Sequence, residues 1–126
     1  MAHPHADVLR GAYAARDRAE VAPLRLWLHG DVVWHAKSGD LHGPQSVMAM
    51  LAEADRIVGR TQSHEIHTIL ADDDYGVVLT TVRATRADVG RSYEDLHVHA
   101  YRFRDGRIIE FWGFLHDPQA AAEFWA

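Results

Sequence analysis

Apolar residues along this chain recur with two different periods, and the change falls near residue 61. Before it the pattern is mostly helical. Pro4 to Arg18 carries Val8, Leu9, Ala12, Tyr13 and Ala15 as a rough stripe with Asp7 near its start, which predicts a helix. A second short helix is predicted over Ala22 to Leu28, anchored by Trp27. Asp31 to Lys37 is β-branched and aromatic, and reads as a strand. Gly43-Pro44 then opens a third helix, because proline at the first helical position loses no hydrogen bond the helix needs. Val47, Leu51, Ala54 and Val58 recur there at i, i+4, i+7 and i+11, giving one buried stripe, and Gly59 ends it.

After Thr61 the chain reads as strands. His64 to Ala71 and Tyr75 to Thr85 flank the acidic turn Asp72-Asp73-Asp74, and two long strands follow around Asp105-Gly106. Asp117-Pro118 closes the last of them, before a short terminal helix over Gln119 to Trp125. Helices first and antiparallel strands afterwards is an α+β order. No repeat, linker or low-complexity segment interrupts it, so residues 1–126 are expected to form a single domain.

The penultimate strand breaks the usual alternation. Every second residue from Asp95 to Phe103 falls on one face, which carries Asp95, His97, His99, Tyr101 and Phe103. The opposite face carries Leu96, Val98 and Ala100. Polar groups turned toward a core cost roughly 1–3 kcal/mol each unless hydrogen-bonded. A polar-lined pocket is one solution to the conflict, and the pattern by itself does not say what fills it.

Composition narrows the classes. A net charge of -5 and the absence of any Lys/Arg run argue against a nucleic-acid surface. No cysteine is present, which excludes disulfides, thiolate catalysis and thiolate metal sites. The first residues lack the basic and apolar regions of a signal peptide, and no apolar run reaches membrane-spanning length, so no membrane partner is expected and a cytoplasmic protein is.

Several short motifs stand in a telling order. They are Tyr13-Ala14-Ala15, Gly30-Asp31-Val32-Val33-Trp34-His35, Gly43, Leu70-Ala71-Asp72-Asp73, and Arg104-Asp105-Gly106-Arg107-Ile108 followed by Trp112. In this order and spacing the chain resembles the SnoaL-like branch of the nuclear transport factor 2-like superfamily, which also holds ketosteroid isomerase. The resemblance implies a cone: a strongly curved antiparallel sheet wrapped around a pocket that three N-terminal helices close. It also implies a hairpin register in which a three-residue loop, with Gly106 in a left-handed bulge, sets His99 opposite Phe111. Phe111, Gly113 and Leu115 then join His97, His99 and Tyr101 inside, while Trp112 and Phe114 lie outside with Leu96, Val98 and Ala100. Such an apolar outer face implies a homodimer through the sheets.

The same resemblance ranks the chemistry. His99 matches a buried oxyanion-donating acid or a pocket histidine of the family, and imidazole suits either role near neutrality. The competing reading is a satisfied core histidine. Asp95 either fixes the tautomer of His97, two residues on, or sits solvated at the rim. Ala36 stands where the isomerase has its proton-shuttling aspartate, so His35 is the neighbouring candidate base if a bulge turns it inward. Gly113 stands where the cyclases carry an acid/base aspartate, and is expected to widen the pocket beside the histidines. Tyr13, Trp34, Leu51, Tyr101 and Phe111 are expected to shape the walls.

His97-x-His99 is also a common beginning for a metal site, with His64, His67, His35 or His116 as further donors. Two histidines are a weak signal, and no metal or cofactor is expected. His3, His5, His29 and His42 are expected on the surface. The expected function is cofactor-independent acid/base catalysis on a small hydrophobic metabolite of polyketide or terpenoid type, by isomerisation, cyclisation, dehydration or hydrolysis. The alternatives are a non-catalytic binding module and a histidine-metal enzyme.

Overall fold

The computed structural model describes residues 3–126. Helix α1 runs Pro4–Asp17, a 3₁₀ turn covers Ala22–Leu26, and helix α2 spans Pro44–Val58. The strands are β1 Leu28–Ala36, β2 Gly39–His42, β3 Ser63–Ala71, β4 Tyr75–Arg86, β5 Arg91–Arg104 and β6 Arg107–Leu115, and helix α3 Pro118–Trp125 follows them. Proline occupies the first turn of all three α-helices. Before α2 the chain must swing in from β2, and Gly43 does so at φ 84°, where a side chain would be strained. No described helix is long and apolar enough to cross a membrane.

One six-stranded sheet carries the order β2-β1-β6-β5-β4-β3. Its pairs are antiparallel except β1 with β6, which run parallel. That parallel contact explains why β1 starts three residues before the expected Asp31. The Trp27 carbonyl accepts the Ile108 N–H at 2.7 Å and pulls Leu28 into register with Ile108. Strand β2, paired with β1 through Ala36↔Gly39, is not foreseeable from the sequence, since four residues are too few to show a period. The second predicted helix is a 3₁₀ turn over Ala22–Leu26 that Trp27 ends, and its last predicted residue, Leu28, is taken by β1.

Irregularities between Leu28 and Val33, between Ile66 and Thr68, and at Ile109 bend the sheet around its concave face. The hairpin register differs from the expected one. Asp105 and Gly106 form a two-residue turn with φ of 54° and 75°, pairing Arg104 with Arg107. Ile109 is then bulged out of the ladder, so His99 sits opposite Gly113 instead of Phe111. The bulge restores the parity that a tight turn alone would have reversed. The expected inner and outer faces therefore hold although the partners do not.

Two buried clusters fill the concave side. One joins α1, the 3₁₀ turn and the sheet through Leu9, Leu24, Leu28, Val32, Val47, Val78 and Phe103. The other gathers Val58, Val82, Ala84, Tyr93, Ala121 and Phe124 near α3. Gly76 lets α1 lie against β4, since a Cβ there would stand 2.8 Å from Leu9 Cδ1.

Candidate active site

Between those clusters the apolar filling stops and leaves a cavity of about 740 Å³. This lies within the range of small-molecule sites. Trp34 and Ala36 of β1, Leu51 and Ala54 of α2, Ile108 and Phe111 of β6, and Trp125 of α3 give it mostly apolar walls. Trp34 stacks on Phe111 with ring centroids 4.0 Å apart, which stiffens one wall. Arg16 also reaches the cavity, but it is buried and holds Asp55 of α2 in a two-pronged ion pair, one arm at 2.8 Å. Its charge is thereby matched within the protein.

The polar end is built on β5. Tyr93, His97, His99 and Tyr101 all line the cavity from alternate positions, and Tyr13 of α1 completes the group. Their hydrogen bonds form a single run whose direction follows from its end. Asp95 can only accept, and takes the Asp117 N–H at 2.8 Å and the Tyr93 hydroxyl at 3.4 Å. With its proton so placed, the Tyr93 oxygen accepts from His97 Nε2 at 2.7 Å. His97 Nδ1 is then an acceptor for His99 Nε2–H at 3.2 Å. His99 Nδ1 in turn accepts from the Tyr13 hydroxyl at 2.5 Å, and the Tyr13 oxygen accepts from Tyr101 at 2.7 Å. Written this way, every group has a partner and only Asp95 is charged.

Burial sets the charge states. His99 is pushed down to about 3, first by burial and then by His97 and His64 alongside. His97 is lowered too, by burial and His64 against the pull of Asp95. The hydroxyls of Tyr13, Tyr101 and Tyr93 are all raised, chiefly by burial. At neutral pH both β5 imidazoles are uncharged. The expectation that His99 exchanges protons near neutrality is therefore corrected: it is a neutral N–H donor, not an imidazolium acid.

Other expectations change as well. Asp95 is neither solvated at a rim nor bonded to His97; it is 7% exposed and reaches the imidazoles only through Tyr93. His35 is outside the cavity. Trp34 and Ala36 point inward, so the residue between them points outward, where His35 bonds Asp40 at 2.8 Å and Glu110 at 2.7 Å and stacks on Trp112. The irregularity in β1 lies before Val33 and leaves that alternation intact. Gly113 faces inward but does not widen the cavity, because the Phe111 ring lies 3.3 Å from where its Cβ would be. Tyr93 is a site residue that the sequence reading does not include. It lies on the same alternating face as Asp95 and His97, and extending that face by one step would find it.

Two groups beside the run also matter. His64 lines the cavity from the start of β3. Gln62 lines it too, and its amide oxygen is buried with no hydrogen-bond partner among the described residues. An orphaned acceptor of this kind costs about 1–3 kcal/mol, which a donor on a ligand would recover. Among the described residues no group of three His, Asp or Glu side chains is placed to hold a metal ion.

Residues 9–111 match the SnoaL-like domain. No curated protein matches the sequence. Among solved structures, Bal32a from a soil-derived mobile gene cassette superposes with a TM-score of 0.88 at 22% identity, over 98% of this chain and 97% of that one. TerC, co-crystallised with polyporic acid, gives 0.81 at 20% identity over 97% and 98%. IdmH of Streptomyces antibioticus, provisionally assigned as a polyketide cyclase, gives 0.77 at 20% identity over 98% and 100%. At these identities the structures establish a shared fold.

Proposed function

The chain belongs to the SnoaL-like domain family, and we propose that it is a cofactor-independent enzyme stabilising an enolate or alkoxide formed from a hydrophobic metabolite. The observation that carries this reading is His99, a neutral imidazole at the polar end of a mostly apolar cavity. Its Nε2–H leans on His97 across 3.2 Å, a long bond that a substrate oxygen can replace. Charge developing on that oxygen would meet a donor already aimed in a low-dielectric site, and such donors are worth about 10²–10³-fold in rate. Tyr93 and Asp95 hold the ring of His97, and Trp34, Leu51 and Phe111 position the substrate. The polyketide or terpenoid class is supported by the apolar walls, by Arg16 being already neutralised, and by the provisional cyclase assignment of IdmH.

A dimer belongs to the same proposal. The convex sheet face exposes Leu70, Val77, Leu96 and Phe114, the first and last at 64% and 58%. Val98 pairs with Phe114 and Leu79 between them, so the apolar surface is continuous across three strands. A second copy of this chain is the occupant proposed, as the family resemblance implies.

The test works without an identified substrate. A panel of polycyclic and terpenoid ketones is incubated with the protein in D₂O, and exchange beside the carbonyl, or turnover, is followed by NMR. His99→Ala should slow the reaction about 10²–10³-fold while retaining the circular dichroism of the fold. An unchanged rate removes His99 from the chemistry. Ala36 and Gly113, at positions where relatives carry aspartates, favour the second reading, a binding module; a retained ligand by native mass spectrometry without any exchange selects it.

A further inference from the structure

Oxyanion stabilisation needs a base to create the anion, and the neutral imidazoles of β5 have both ring nitrogens engaged. We propose that His64, paired with Asp17, is that base, and that Gln62 anchors the substrate through a hydroxyl, so the ligand is an enolisable carbonyl compound bearing an O–H group. The inference rests on the cavity being an active site.

His64 opens β3 with a side chain only 7% exposed. Its Nδ1 lies 2.7 Å from Asp17 Oδ1, at the last residue of α1. A carboxylate only accepts, so Nδ1 carries the proton and Nε2 keeps the lone pair. That second nitrogen has no hydrogen-bond partner among the described residues, and the residue lines the cavity. The pairing is the one in which a carboxylate orients an imidazole and stabilises the imidazolium it becomes. The ring meets Tyr13 edge-on at 5.0 Å, and the hydroxyl of the same tyrosine bonds His99, so base and donor share Tyr13 as a neighbour. Asp17 is 37% exposed, so the dyad can exchange its proton with water.

Gln62 precedes His64 by two residues, and both look into the same space. Its unpartnered amide oxygen accepts only, which selects a donor on the ligand. A substrate hydroxyl placed there sets the carbonyl's α-carbon before His64 and the carbonyl oxygen before the His99 donor. The C–H bond breaks, its proton passes to His64 Nε2, and its electron pair forms the enolate double bond. The carbonyl π pair moves onto oxygen. Where a β,γ double bond adjoins the α-carbon the anion is a dienolate. The oxygen pair then re-forms the carbonyl, the enolate pair moves to the α,β bond, and the β,γ π pair takes the proton back at the γ-carbon, which completes an isomerisation. Alternatively, the enolate carbon attacks a second carbonyl of the same molecule, and the proton passes to the new alkoxide, closing a ring.

Substituted naphthols test this directly, because their ionised forms mimic the enolate and absorb at longer wavelength. The groups sharing the surroundings of His64 are Asp17, Tyr13 and Arg16 of α1, Asp55 of α2, and His97 and His99 of β5. Bound naphthol should ionise in the intact protein at pH 7 and stay at least about 10-fold more neutral in His64→Gln and Asp17→Asn. In the D₂O assay, His64→Ala should lose about 10²–10⁴-fold and regain activity with added imidazole, whereas His99→Ala should not be rescued. Gln62→Leu should weaken dihydroxynaphthalenes about 10-fold more than naphthols lacking the second hydroxyl. Equal ionisation in both dyad variants, with binding retained, overturns the dyad and leaves the pocket reading standing. Failure of every naphthol to bind the intact protein overturns both.

Discussion

Removing the hydroxyl of Tyr13 is the most informative perturbation of the polar run, because that oxygen has two partners. Tyr13→Phe is nearly isosteric and leaves no cavity. It strips His99 Nδ1 of its donor and leaves the Tyr101 hydroxyl without an acceptor, both in buried surroundings. Each orphaned group costs about 1–3 kcal/mol, so the variant should lose about 2–6 kcal/mol. Tyr101→Phe removes one bond and orphans only one lone pair of Tyr13, and should lose about 1–2 kcal/mol. In the double variant no Tyr101 hydroxyl remains to be orphaned, so the costs should fall short of their sum by about 1 kcal/mol or more. Urea unfolding at constant m measures all three. On heating, each kcal/mol should appear as about 4 °C for a chain of this length. A loss below about 0.5 kcal/mol for Tyr13→Phe, or strict additivity, would mean that cavity water already satisfies these groups, and the directed run would have to be abandoned.

The charge state of His99 gives a pH signature of definite sign. Its folded value of about 3 lies below the roughly 6.5 of an unfolded imidazole, so between the two the unfolded chain binds a proton that the folded chain does not. Stability should be complete above about pH 6.5 and fall on acidification toward 3, by up to about 1.4 kcal/mol per pH unit from this group. His97 adds in the same direction, while His35, raised by Glu110 and Asp40, acts oppositely and loses its contribution as pH rises. The acid limb of the urea midpoint should be shallower in His99→Gln, and an unchanged limb would place a water-accessible imidazole there instead. On the convex face, Phe114→Lys should shift sedimentation from dimer to monomer without altering naphthol binding; a single species in both proteins refutes the sheet-to-sheet dimer.

Much of the architecture was legible because it is local. The proline-opened helices, the Asp105-Gly106 turn and the alternation of β5 depend on residues a few positions apart, and the facing of His97, His99 and Tyr101 follows from that alternation alone. The hairpin shows where this stops: a turn at Asp105-Gly106 was readable, but its two-residue form was not the one expected, and the bulge at Ile109 that restores the parity of β6 cannot be seen in the turn residues. His35 illustrates the same limit. Its chemistry resembled a base, yet its side of the sheet was decided by the pairing of β1 with β6, some 75 positions along the chain.

What the sequence determined by itself was therefore the longer helices and strands and which residues of a strand share a face, since sterics and short-range periodicity govern both. Only the tertiary structure decided the partners: Tyr13 with His99, Tyr93 between Asp95 and His97, and Asp17 with His64 across 47 positions. It also decided that His99 is neutral, because a pKa depends on how much water folding removes, and no pattern along one strand contains that quantity.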